Sequence, residues 1–277
     1  MSGAAQVFSA PSALGNDLRR FASLTYLLAV TDFKLNFFGS ALGYLWGLMR
    51  PLMLFGVLYL VFTQVIKFGE GVKHYPVYLL TSIMLMNYFG ETTAGGVGSL
   101  IKHQNLLRKM QFPRLVIPLS VALTSLFNLG LNLIAVFFFA MVSGVEPRLS
   151  WLQLPLLVAF LAVLAVGLAM LLAALYPRYR DISPIWDVVL QILFYATPVL
   201  YVLSTVPDEY ERAFLANPIA VVLTQARNAL IDPSAPTAAE AIGPDVRLLL
   251  PVGITVALFA LGLWVFLRET PRIAENL

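Results

Sequence analysis

The sequence predicts an all-α membrane protein: six transmembrane helices, an N-terminal interfacial amphipathic helix and a re-entrant extracytoplasmic hairpin. Three observations lead there. Of 277 residues, 59% are hydrophobic and 12% charged, with a mean hydropathy of +0.82, whereas a soluble domain carries about 25% charged residues because its surface faces water. Six segments are apolar over the ~20 residues that a helix needs to cross a hydrocarbon core of ~30 Å. Runs such as Leu156 to Leu175 are apolar on every face, where barrel strands of about ten residues would alternate. A soluble enzyme, a disordered chain and a nucleic-acid binder are excluded together. The net charge of +3 and pI near 9.2 need no nucleic acid, because basic residues collect in loops beside a membrane.

The elements follow in order. Residues 1–17 are small and polar, without the basic patch and apolar core of a signal peptide, so insertion is expected through the first span. In residues 18–38, Leu18, Phe21, Leu24 and Leu28 recur at helical spacing while Arg19, Arg20, Asp32 and Lys34 interrupt the apolar run. That pattern suits a helix lying in the cytoplasmic interface or an amphipathic arm packed on a partner. The six spans are placed at 41–66, 75–97, 115–142, 151–176, 182–203 and 247–267. Pro198 breaks the fifth near its outer end. The stretch from Ala213 to Ile231 is too apolar for an ordinary loop, yet Asn217, Pro218, Gln225 and Arg227 interrupt it. A hairpin of half-helices dipping in from outside fits, with its irregular backbone buried by protein; a surface helix at the interface is the alternative.

Basic residues set the orientation. Lys102, Arg108, Lys109 and Arg114 fill the loop after the second span without an acid, and Arg178 and Arg180 the loop after the fourth. Outside the spans, eleven Lys and Arg fall on this side and five on the other, where Asp208, Glu209, Glu211, Asp232, Glu240 and Asp245 gather. Both termini are therefore expected in the cytoplasm.

Chemistry is sparse. No Gly-x-x-x-x-Gly-Lys-Ser/Thr loop occurs, and no lysine follows the Gly95, Gly96, Gly98 cluster, so a P-loop nucleotide site is not expected. His74 and His103 fall on opposite sides of the membrane, and there is no cysteine, which leaves no His or Cys metal site. Asp208, Glu209 and Glu211 read as a solvated loop face. Enzyme activity is not expected from these residues.

Several stretches form a pattern: Ser40-Ala-Leu-Gly-Tyr-Leu-Trp46 with Arg50-Pro51; Asn105-Leu-Leu-Arg-Lys-Met-Gln-Phe-Pro-Arg114 with Ile117-Pro-Leu-Ser120; Tyr179-Arg-Asp-Ile182; Phe194-Tyr-Ala-Thr-Pro-Val199; and Asn217-Pro218. Over residues 20–267 the chain resembles the permease subunit of type-2 ABC exporters of polysaccharide, including O-antigen, capsule and teichoic acid exporters. The resemblance implies an inner-membrane homodimer with two copies of a separate ABC ATPase. ATP and magnesium would be bound by that partner, and this chain would hold no cofactor. It also implies that residues 100–114 are a coupling helix seated in a groove of the ATPase. Leu106, Leu107 and Phe112 would enter the groove and Arg108, Lys109 and Arg114 meet an acidic rim, with Asn105 and Pro113 completing the segment. Arg178, Arg180 and Asp181 would form a second cytoplasmic contact. The alternative for these cations is topology and attraction to anionic lipid. A type-2 drug or lipid efflux permease shares the architecture, and an intramembrane transferase would need a carboxylate pair for its metal.

Within the membrane, Arg50 is the costly exception. A guanidinium binds phosphate oxygens in bidentate fashion, so Arg50 is a candidate for the pyrophosphate of a lipid-linked glycan; snorkelling, or pairing with Glu91 or Asp187, is the alternative. Tyr44, Trp46, Tyr59 and Tyr88 are candidates to line a glycan path, against the ordinary role of aromatics in interface belts and packing. Ala165, Ala169 and Ala173 form a small-residue stripe that permits close helix approach, and Asn128 and Asn132 read as glue between helices.

Overall fold

The computed structural model describes residues 18–37, 43, 45–67, 71–109, 113–243 and 248–276. Tyr44 and Phe112 lie outside them. The described residues form helices joined by turns and loops, with no strand among them: α1 (Leu18–Phe37), α2 (Leu45–Leu60), α3 (Tyr75–Val97), α4 (Ser99–Lys102), α5 (Gln104–Lys109), α6 (Val116–Val142), α7 (Leu154–Leu175), α8 (Ile182–Ala196), α9 (Asp208–Leu215), α10 (Pro218–Leu230), α11 (Ala238–Ile242) and α12 (Leu249–Asn276). Four segments are long and apolar enough to cross a membrane: Leu45–Val65, Val116–Val142, Leu149–Leu175 and Leu249–Glu269. The protein is a multi-pass membrane protein.

Two of the six expected spans are not among those four, for different reasons. Helix α3 is 23 residues long, but Thr81, Ser82, Asn87, Glu91, Thr92 and Thr93 dilute its hydropathy. Most of α3 is buried between α6, α7 and α8, so it meets protein rather than lipid and has no need to be apolar throughout. The Thr81 and Thr93 hydroxyls are satisfied within the helix, donating to the carbonyls of Val77 (2.7 Å) and Phe89 (2.8 Å).

The stretch expected as a span over 182–203 is a 15-residue helix, α8, that ends at Ala196. Proline cannot donate a helical hydrogen bond, and it pushes the preceding residue to extended backbone; Thr197 before Pro198 has φ −106° and ψ 146°. The carbonyls freed by this turn are taken up by α3. Tyr75 Oη donates to Leu200 O (2.6 Å), and Tyr78 Oη lies against the carbonyls of Pro198 and Tyr201. Two tyrosines thus dock the broken end of α8 into the core.

Helix α7 is the spine, with Ala165, Ala169 and Ala173 fully buried. Its partner α12 makes the most extensive helix contact in the fold, and glycine sets their separation. A Cβ on Gly167 would stand 2.6 Å from Phe259 Cα, and one on Gly262 would strike the Gly167 carbonyl. On the other face, a Cβ on Gly96 of α3 would stand 2.7 Å from Ala169 Cβ. The middle residue of the stripe read from sequence, Ala169, is therefore a point of close approach between α3 and α7.

Helix α2 hangs at the edge. Pro51 sits within it, the helix widens into a π-turn over Val61–Val65, and chain direction changes at Lys67 (φ 62°). Leu45, Trp46, Met49, Met53, Leu54, Val57 and Leu60 are exposed along it. Helix α1 packs on α6 through Phe33 and Tyr26, both edge-on to Phe127 (ring centroids 5.7 and 6.3 Å), and Thr124 Oγ1 donates to Ala29 O (3.1 Å).

Candidate coupling face and membrane path

The basic segment after α3 is two short helices instead of one. Gly98 ends α3, Ser99 Oγ donates back to Gly96 O (2.7 Å), and α4 gives way to α5 at His103. Asn105 is exposed and Leu106 half-buried; Leu107, Arg108 and Lys109 continue the helical backbone, and their side chains lie outside the described set, as does Phe112. Pro113 is buried and Arg114 half-buried where α6 begins.

The second basic loop comes to the same end of the bundle, because Tyr176 at the close of α7 lies beside Gly98. Arg178 and Arg180 are exposed, their guanidiniums over the rings of Tyr179 (5.3 Å) and Tyr176 (5.2 Å). Such stacking restricts long side chains without removing their charge. Asp181 precedes α8 and makes no side-chain cap. Asn105, Arg178, Arg180 and Asp181 thus lie toward the same end of the bundle.

Sequence reasoning missed a contact behind this face. Asp32 of α1 is 7% exposed and lies 3.5 Å from Lys102 Nζ and 3.4 Å from His103 Nε2. Burial works to raise the Asp32 carboxyl, but the His103 hydrogen bond and charge and the Lys102 ammonium outweigh it and hold the group below its ordinary value. The sole sequence signal was an acid on a largely apolar helix, seventy residues from its partner.

The residues proposed for a membrane path separate. Trp46 is 48% exposed and Arg50 is exposed on the same helix. Arg50 stands five residues after Leu45, about 7.5 Å along the axis. Tyr59 is half-buried and stacked on Phe55 (5.8 Å, 21° between planes). Tyr88 is 2% exposed within the main apolar cluster, so in this chain it packs and faces no open surface. The charge of Arg50 acts on Glu91 of α3. Asn128 Nδ2 donates to Glu91 Oε2 (3.0 Å), tying α6 to α3. Asn132, one turn on and buried, has an Oδ1 that meets no donor among the described residues.

At the other end, α9 and α10 meet at Asn217. Its Oδ1 accepts from Ile219 N (3.0 Å) and caps α10, while Nδ2 donates to the buried Thr197 Oγ1 (2.9 Å). Helix α10 buries Ile219, Val222 and Leu223 in the main cluster. Arg227 reaches toward Asp232 (3.9 Å) and lies 5.9 Å over the Tyr78 ring.

Comparison with known proteins supplies what the geometry does not name. Residues 23–231 match the family described as ABC-2 type transporter. The chain is 30% identical to the O-antigen export system permease protein RfbA of Myxococcus xanthus over 76% of its own length and 81% of that protein's. It is 26% identical to the O-antigen export system permease protein RfbA of Klebsiella pneumoniae, covering 74% and 79%. With the polysialic acid transport protein KpsM of Escherichia coli it shares 20% identity, over 74% and 80%. The match runs from α1 through α10, across the basic face, the polar contacts of α3 and the capped outer helices alike: the chain belongs to the ABC-2 type transporter family.

Proposed function

We propose that this chain is the transmembrane subunit of an ATP-driven exporter that moves lipid-linked polysaccharide across the cytoplasmic membrane. The observation that carries the reading is the family match over residues 23–231, joined by relatives named for O-antigen and polysialic acid transport. The chain acts as a homodimer with two copies of an ABC ATPase, which binds ATP and magnesium, and is not itself an enzyme. Six segments cross the membrane: the four long apolar helices, the protein-encased α3, and α8 together with the turn that follows it. Both termini face the cytoplasm, in accord with the distribution of basic residues. The segment Asn105 to Arg114 seats in the ATPase, and Arg178, Arg180 and Asp181 add a second contact. Helices α9 and α10 form an outer re-entrant gate. Arg50, Trp46 and Tyr59 border the route of the glycan at the edge of α2, where a second copy would enclose it, with Tyr44 beside them in sequence.

Deleting the gene for this chain in its own host should leave lipid-linked glycan on the inner face of the membrane, and re-expression should restore export. Undiminished surface glycan in the deletion strain would refute the reading. Arg108→Glu with Lys109→Glu should stop copurification of the ATPase while membrane insertion is unchanged; a complex that survives would sink the coupling assignment.

A further inference from the structure

The contact between Asp32 and the α4–α5 junction joins two elements that the transport reading treats separately. Helix α1 approaches from residues 18–37, whereas Lys102 and His103 stand immediately before α5. The Asp32 carboxylate lies between Lys102 Nζ and His103 Nε2, at 3.5 and 3.4 Å.

The histidine ring adds a constraint. His103 is 8% exposed; its Nδ1 lies 3.0 Å from Ser99 O and its Nε2 3.4 Å from Asp32 Oδ2. Both ring nitrogens therefore face acceptors, the Ser99 carbonyl and the Asp32 carboxyl. Neutral imidazole has one N–H and serves one of them; imidazolium serves both. The groups around the ring are Asp32 from α1, and Ser99 and Lys102 from α4. On its far side α1 is fixed to α6 by the Thr124 to Ala29 bond and the Phe33–Phe127 and Tyr26–Phe127 edges.

We propose that Asp32, held between Lys102 and His103, is a positioning residue that makes α1 and the coupling segment one mechanical unit, so that a displacement imposed at α5 is delivered to α1 and thence to α6. This rests on the reading of α5 as the ATPase contact. Displacement passes between packed elements through the contacts that join them, and a buried carboxylate is costly to separate from its partners because it would be left unpaired. Anchored in this way, α1 would transmit force in addition to resting in the interface.

The natural absence of cysteine makes the test direct. Spin labels are placed at exposed Leu27→Cys on α1 and exposed Leu261→Cys on α12, in the full complex with its ATPase. Inter-label distance is measured without nucleotide and after trapping with ATP and vanadate. The wild-type background is expected to shift by about 2 Å or more, the scale of helix shifts in switching proteins. Asp32→Asn should reduce that shift at least twofold with copurification of the ATPase intact, and Asp32→Glu should restore it. A shift undiminished in Asp32→Asn overturns the proposal. Failure of the wild-type chain to copurify the ATPase overturns the transporter-subunit reading instead.

Discussion

Replacing Gly262 with alanine tests the claim that glycine sets the α7–α12 separation. A Cβ at Gly262 would collide with the Gly167 carbonyl oxygen and lie 2.8 Å from its carbon, where ordinary contact begins at 3.4 Å. The obstacle is backbone, so no rotamer change relieves it; the helices must move apart. At the reciprocal site the deficit is similar, since a Cβ on Gly167 would stand 2.6 Å from Phe259 Cα. A gap of about 0.5–1 Å forfeits a quarter to a half of each van der Waals contact along the seam, and overpacking of this kind costs about 1–3 kcal/mol. Between membrane helices close packing supplies much of the association energy, so the upper end of that range applies, and the melting temperature should fall by about 5 °C or more. Detergent-purified protein, followed by tryptophan fluorescence on heating, gives the comparison. Gly130→Ala and Gly253→Ala serve as controls, because a Cβ at either has nothing within 4 Å. If Gly262→Ala melts with the controls, the backbone-contact argument is wrong.

Three further outcomes follow. Asp32 has a folded-state pKa below its unfolded value, so its contribution is present above the unfolded pKa of about 3.9 and is lost as pH falls through the folded one; thermal melts from pH 5 downward should show a decline that is weaker in Asp32→Asn. Asn217→Ala removes the α10 cap and the partner of the buried Thr197 hydroxyl, costing about 1 kcal/mol for each; Asn217→Asp, which retains the cap, should recover part of the lost melting temperature. Arg50→Gln should leave ATP hydrolysis by the complex intact and lower glycan export, measured as surface polysaccharide; unchanged export would favour a role limited to balancing Glu91.

Legibility followed the range of the interactions. Periodic apolarity lies within each segment, so α2, α6, α7 and α12 could be read directly, and so could the Ala165, Ala169, Ala173 stripe. The end of α8 was half legible: Pro198 marked a break, but the tyrosine hydroxyls that receive its freed carbonyls come from α3, some 120 residues earlier. Tyr88 illustrates the opposite case. Its aromatic ring suggested a sugar path, and its depth in the apolar cluster was invisible because composition does not say which face of a crowded helix is enclosed.

The sequence by itself determined the solvent, the helical class, the clustering of basic residues and the family resemblance, since each depends on residue type and local spacing. Only the tertiary structure decided that a polar α3 is sheathed by its neighbours, that Glu91 is held by Asn128, and that Asp32 meets Lys102 and His103. Those are pairings between distant segments. They depend on how helices approach one another, which here is limited by glycines whose missing Cβ atoms show their meaning only opposite a particular backbone.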